Sequence, residues 1–251
     1  MKPFLPVLSY QKIGRAPKNS RLKKEWASVR RLEKMLPWLI KHGYTFITPA
    51  DLQKELPAKP ILLAFMGGYQ SFYTHIFPLL QQHKICATLF LAVDTLGTYN
   101  SWQDPYKEPW QNIITDKQLK EMHKSGLVQI GTLGLDGHNL LKDAPTSAQQ
   151  TILESIHRLK MLYKIDACAV AFWPSAKGPH KRAMAIGGGL NLPVLTSQPG
   201  KNALNEKKFL YILPLPAQSS SRRLERSFTR IRTAGSWYPP HPEREIKRIP
   251  R

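Results

Sequence analysis

The 251-residue chain contains no apolar run approaching the about 18 residues that a membrane-spanning helix needs, so no transmembrane segment is expected. Its opening, MKPFLPVLSYQKIG, lacks a secretory core: the apolar stretch is short, broken by proline, and runs straight into a strand-like segment. As written, the chain reads as cytoplasmic. Cysteine is scarce, with two residues in strand-like runs, Cys86 in CATLFLA and Cys168 in CAVAFW. Thiols so placed read as small buried hydrophobes and carry no redox argument. Acidic residues are also few, 17 against 37 Lys and Arg, giving a net charge of +20. That imbalance favours polyanions such as nucleic acid, acidic glycans or anionic lipid surfaces. No repeat of fixed period and no G-x-S-x-G elbow occur, and Ser71 has no identifiable base. The run Gly187-Gly188-Gly189 follows a helix-like segment with no Lys-Ser/Thr after it, which makes it a helix stop and not a phosphate cradle.

What is present is a globular pattern, 42% apolar and 10% aromatic, in which strand-like and helix-like segments alternate. Such alternation argues for an α/β fold with a largely parallel sheet or barrel. Strands are expected at VLSY (7–10), TFIT (45–48), ILLAF (61–65), ATLFLAV (87–93), LVQIG (127–131), CAVAFW (168–173), PVLTS (193–197) and FLYILPL (209–215). From Leu22 to His42 the apolar residues Trp26, Val29, Leu32, Leu36, Leu39 and Ile40 fall at helical spacing, with a break near Pro37 and a stop at Gly43. Further helices are expected through HIFPLLQQH, through DKQLKEMHKSG with Thr115 or Asp116 as cap, and after a cap at Thr146 or Ser147. A Trp- and Pro-rich loop spans about 97 to 113.

From about Ala217 the periodicity fails, and residues 217–251 read as a basic Pro-, Arg- and Ser-rich tail behind a domain of residues 1–216. The tail carries nine basic and three acidic residues, and the segment from Lys12 to Lys34 carries nine and two. Either is a solvated face or a patch that tracks phosphates.

The segments VLSYQKIG, HGYTFITPADL, ILLAFMGGYQSFYTHIFPLLQQHKICATLFL, LKEMHKSGLVQIGTLGLDGHNLL and AFWP, in this order, resemble the polysaccharide deacetylases of the NodB-homology type, carbohydrate esterase family four. The likeness covers about residues 5 to 215 and is greatest toward the branch that includes poly-N-acetylglucosamine deacetylases. It implies a distorted (β/α) barrel of about seven strands with a divalent metal, commonly zinc, at the strand ends. In active members a Phe-Asp-Asp-Gly-Tyr loop supplies the base and one metal ligand, and a later motif supplies two histidines. This chain has Met66 and Gly67 at the carboxylate positions and Leu133 and Gly137 at the histidine positions, with Tyr69, Asn139 and Leu140 holding the register. Tyr10-Gln11 stands where relatives often have Tyr-His, Ala176 where they often have Gly, and ILPL (212–215) has no histidine for a late general acid.

Metal-assisted amide hydrolysis needs ligands, an open position for water and a base, and Met, Gly and Leu supply none of these. The expectation is therefore a deacetylase-like protein without the family reaction, with no cofactor, whose cleft residues Tyr10, Gln11, Tyr69, Asp136, His138 and Trp173 face a glycan or protein partner. Aromatics at Tyr10, Tyr69, Trp102, Trp110 and Trp173 suit stacking on sugars or bases. A second reading keeps hydrolase activity of the carbohydrate deacetylase type, with zinc relocated to His75, Asp136 and His138. A third is a nucleic-acid or polyanion binder working through the basic N-terminal helix and the tail.

Overall fold

The computed structural model describes residues 4–173, 180–200 and 202–213, with residue 226 alone beyond them. Twelve strands and five α-helices follow in order along these residues. They are β1 (Phe4–Leu5), β2 (Val7–Tyr10), β3 (Lys12–Ile13), β4 (Trp26–Ala27), α1 (Val29–Lys41), β5 (Thr45–Ile47), β6 (Pro60–Met66), α2 (Phe77–His83) and β7 (Ala87–Leu91). Then come α3 (Asp116–Lys124), β8 (Val128–Thr132), α4 (Pro145–Tyr163), β9 (Val170–Ala171), α5 (His180–Gly188), β10 (Val194–Pro199), β11 (Asn202–Ala203) and β12 (Phe209–Ile212).

Eight strands form one parallel sheet in the order β12-β10-β9-β8-β7-β6-β2, with β5 attached to β6. The expected seven are thus the continuous path, and β5 is the eighth. Parallel pairing with helical crossovers requires burial on both faces, and every residue of β6 and β7 is buried. The sheet curls until its edges approach: Leu213 N–H donates to Val7 C=O at 2.8 Å, and β1 pairs antiparallel with β11 nearby. The result is the distorted barrel, with the loops after its strand ends gathered at one rim. Among the described residues no helix is long and apolar enough to cross a membrane.

Several local expectations change. The segment before α1 is not helical to Leu22: Trp26 lies in β4, paired beside Lys12 of β3, and Ile40 is 40% exposed. The helix also runs unbroken through Pro37, because Pro37 and Glu33, whose carbonyl loses its donor, both face water while Leu32, Met35, Leu36 and Leu39 pack inward. Helix α4 starts at Pro145 with Ala144 as N-cap, proline at N1 presetting the turn in place of Thr146 or Ser147. Thr115 caps α3 with a full capping box, as its sequence requires. Residues Phe72–Ile76 form a π-turn ahead of α2, so the helix through HIFPLLQQH is two unlike pieces. The ladder of CAVAFW is confined to β9, and Cys86 stands one residue before β7, its Sγ donating to Phe46 C=O at 3.3 Å. Burial pushes the Cys86 thiol up to about 11 and Cys168 up to about 12, so both stay protonated. Pro174, Ala176, the end of ILPL and the tail fall outside the described residues, apart from residue 226.

Candidate functional site

The rim of the barrel is built where β6 and β8 end. Strand β6 delivers Met66, 1% exposed, and the chain then turns through Gly67 and Gly68 with φ of +97° and +68°. Strand β8 delivers Leu133, 2% exposed, which belongs to the same apolar cluster as Met66 and Phe90. Gly137 follows with φ of +82°. A Cβ added to Gly67 would lie 2.7 Å from the Tyr69 ring and 3.1 Å from Trp173, and one added to Gly137 would lie 2.5 Å from two carbons of Trp102. Only glycine combines this left-handed backbone with so close an approach.

The three rings that crowd the glycines also contact one another. Trp102 and Trp173 have centroids 5.6 Å apart, and Trp102 and Tyr69 are 6.1 Å apart, within the range of tilted aromatic pairing. Trp173 Nε1–H donates to the Gly137 carbonyl at 2.8 Å, pinning the two loops together. An aromatic plug therefore occupies the strand ends. Beside it is a cavity of about 370 Å³ lined by Gln11, Glu25 and Gln103 on one side, His138 and Asp143 on another, and the two indoles.

Two charged groupings flank this cavity. Lys12, fully buried, places Nζ 2.9 Å from Glu25 and 3.3 Å from the equally buried Glu108. Glu108 also accepts from Trp26 Nε1–H at 2.8 Å and from the Ser20 hydroxyl, while Gln103 donates to Glu25 at 3.2 Å. Burial alone would raise the Glu108 pKa; the Ser20 and Trp26 hydrogen bonds and the Lys12 charge outweigh it and hold the carboxyl below its usual range. On the other side, His138 sits between Asp136 (Nδ1, 2.5 Å) and Asp143 (Nε2, 2.6 Å).

The family pattern described as "Polysaccharide deacetylase" matches residues 53–183, a little over half of the chain. The chain belongs to the polysaccharide deacetylase family. It is 26% identical over 140 residues to a poly-β-1,6-N-acetyl-D-glucosamine N-deacetylase of Staphylococcus aureus, covering 52% of this chain and 46% of that protein. Against the Escherichia coli K12 protein of the same name the identity is 29% over 116 residues, 43% of this chain and 17% of the other. The chain thus spans less than half the length of these curated relatives. Among solved structures, the Streptococcus pyogenes deacetylase PplD superposes with a TM-score of 0.72 at 19% identity, over 90% of this chain and 99% of that one. IcaB of Ammonifex degensii gives 0.69 at 22%, over 85% and 93%. These likenesses establish the NodB-type fold.

Within this family fold, the implied metal can be tested against the side chains present. Met66, Gly67, Leu133 and Gly137 offer no carboxylate or imidazole, and indoles take up the space at both glycines. These residues do not fit the family's metal. Nor does the alternative set come together. His75 is exposed on the π-turn, both His138 nitrogens already face carboxylates, and among the described residues no group of three or more His, Cys, Asp or Glu is arranged to hold an ion.

The expected cleft residues divide. Gln11, His138 and Trp173 line the cavity, and Asp136 reaches it through His138. Tyr10 and Tyr69 do not: each is buried, Tyr10 stacking on Phe65 at 5.5 Å with its hydroxyl on Met35 Sδ, and Tyr69 forming the fully buried part of the plug. Burial raises the pKa of both phenols, which stay protonated. Sequence reasoning missed Lys12, Glu25, Gln103, Glu108 and Asp143. The only available signal was the scarcity of acids, which makes each carboxylate in a basic chain a candidate partner.

Proposed function

We propose that this member of the polysaccharide deacetylase family binds a glycan in the cavity beside the aromatic plug and does not carry out metal-dependent deacetylation. One observation supports the reading: Trp173 and Trp102 stand over Gly67 and Gly137, two of the four positions at which the resemblance puts the family's base and metal ligands. Half-buried indoles beside amide and carboxylate side chains suit the C–H faces and hydroxyls of a pyranose. The relatives' names point to chains of N-acetylglucosamine as the first ligand to try. The cytoplasmic placement expected from the N-terminus finds no support in the relatives and is not part of the proposal.

The test pairs metal content with binding. Folded protein incubated with zinc, freed of excess ion and analysed by elemental mass spectrometry should retain none. It should release no acetate from acetylated poly-β-1,6-N-acetylglucosamine, yet its tryptophan fluorescence should shift with N-acetylglucosamine oligomers. About one zinc per chain, lost in His138→Ala and accompanied by acetate release, would instead establish the relocated hydrolase site.

A further inference from the structure

The buried cluster around Lys12 joins two loops whose outer surfaces are chemically unlike the rest of the rim. One loop, residues 14–25, exposes Arg15, Lys18, Arg21, Lys23 and Lys24. The other, residues 97–113, exposes Tyr99, Tyr106 and Trp110, at 44%, 89% and 43%. A monomeric surface seldom gathers three large exposed aromatics on one loop without a use for them. Here Tyr99 and Trp110 stack at 4.4 Å with planes 18° apart, a preformed platform that loses little entropy on contact with a ligand.

The two loops are fastened edge to edge. Arg21 N–H donates to Lys107 C=O at 2.8 Å beside Tyr106, and Ser20 and Trp26 of the first loop region reach Glu108 of the second. The Arg21 charge also helps hold Asp104 below the usual carboxylate range, after the larger effects of the Tyr106 backbone and Lys107. The platform in turn continues into the cavity: Trp110 Nε1–H donates to the carbonyl of Gln103, which lines it, at 2.8 Å. The buried Lys12–Glu108 pair, with Ser20 and Trp26 on the same carboxylate, fastens the cation-bearing loop to the ring-bearing loop, and Glu25 and Gln103 carry the two loops to the cavity wall.

We propose that this two-loop rim is a binding site for an extended glycan carrying negative charge, with Tyr99 and Trp110 stacking on its sugar rings and the Arg21 loop meeting its acidic groups. Stacking is favoured by the C–H face of a pyranose, and the cations supply affinity that a neutral chain would not feel. The inference goes beyond the cavity reading above. Short neutral oligomers test the cavity, and length and charge test the rim. Single-stranded nucleic acid uses the same combination of rings and cations. A glycan is favoured because the platform leads into a cavity between indoles in a polysaccharide deacetylase fold.

The experiment titrates the full chain with an oligogalacturonate long enough to extend beyond the cavity, with its disaccharide, with a chito-oligosaccharide of the same length, and with oligothymidylate. The long acidic glycan should bind tightest and lose affinity as salt is raised. Trp110→Ala should weaken it about tenfold, in keeping with one lost stacking contact. Arg21→Ala should weaken it and flatten its salt dependence, with the disaccharide unaffected by either change. Equal binding of the acidic and neutral chains, tighter binding of oligothymidylate, or a Trp110→Ala variant with unchanged affinity and a native circular dichroism spectrum would each overturn the assignment.

Discussion

The strand ends around Tyr69 have no ionisable side chain at Met66, Gly67, Leu133 and Gly137, whereas Lys12 Nζ lies 5.7 Å from the same ring's centroid, between two carboxylates. The first region is where the family resemblance places chemistry, and it is filled by rings. The second begins in the basic segment expected at the solvated surface, and it holds a fully buried lysine and glutamate. The contrast teaches how a strand end without ionisable side chains is packed without a hole being left. Glycine on a left-handed backbone admits an indole, and the indole takes up the volume that a larger side chain would need. The buried charges in turn are tolerable because each is paired and hydrogen-bonded, with Trp26, Ser20 and Gln103 completing the set.

Breaking the charged side should have the largest effect. Lys12→Met leaves Glu108 buried without its counter-charge and should cost about 3–5 kcal/mol of unfolding free energy, measured by urea denaturation. The double variant Lys12→Met/Glu108→Gln should recover part of that loss. A single variant within about 0.5 kcal/mol of the parent would show that the pair is not buried in solution.

The aromatic side breaks differently. Gly137→His restores an imidazole at a family position, but it places a Cβ against Trp102 on a backbone with φ of +82°. We expect destabilisation of about 1–3 kcal/mol and no gain of zinc. The diagnostic step is Gly137→His combined with Trp102→Ala, which should cost less than the two single changes added together, because Trp102→Ala removes the ring that the new Cβ would strike. Strict additivity would sink the claim that this indole and this glycine are fitted to each other. A smaller probe of the plug is Trp173→Phe. It keeps an aromatic ring but deletes the hydrogen bond to Gly137 C=O, and should cost about 1 kcal/mol in the same denaturation assay.

How much of this was legible in the sequence follows the distance along the chain. The runs ILLAF and ATLFL gave their strands because a buried parallel strand is a local apolar pattern, and Thr115 gave its cap because Gln118 is three residues away. The absence of ionisable side chains at Met66, Gly67, Leu133 and Gly137 was readable residue by residue. What replaced them was not. Trp173 reaches Gly137 across 36 residues and Trp26 reaches Glu108 across 82, and no local pattern marks either pair. The same limit misplaced Tyr10 and Tyr69. A tyrosine at a strand end faces a cleft or a core according to neighbours that come from elsewhere in the chain, here Phe65 and Met35 for Tyr10 and Trp102 for Tyr69.

The gentlest probe separates the buried cluster from its exposed counterpart. Partial burial pulls the His138 imidazole down, but its hydrogen bonds to Asp143 and Asp136 and their charges prevail and raise its pKa above the ordinary value. A raised histidine contributes stability that is fully present below its unfolded pKa and is lost as pH rises through the folded one. Asp136 is the opposite case: burial raises it, the His138 contacts prevail, and its lowered pKa means that its contribution fades as pH falls through the folded value. Amide protection factors in residues 133–143, which divide out the intrinsic base-catalysed rise of exchange with pH, should therefore be highest in mildly acidic solution and fall above the folded pKa of His138, with that fall absent in His138→Gln. Because this histidine is 41% exposed, the change should stay local and leave the global unfolding midpoint nearly unmoved. If the whole domain instead loosened with His138, the exposed pair and not the buried lysine would be holding the rim together.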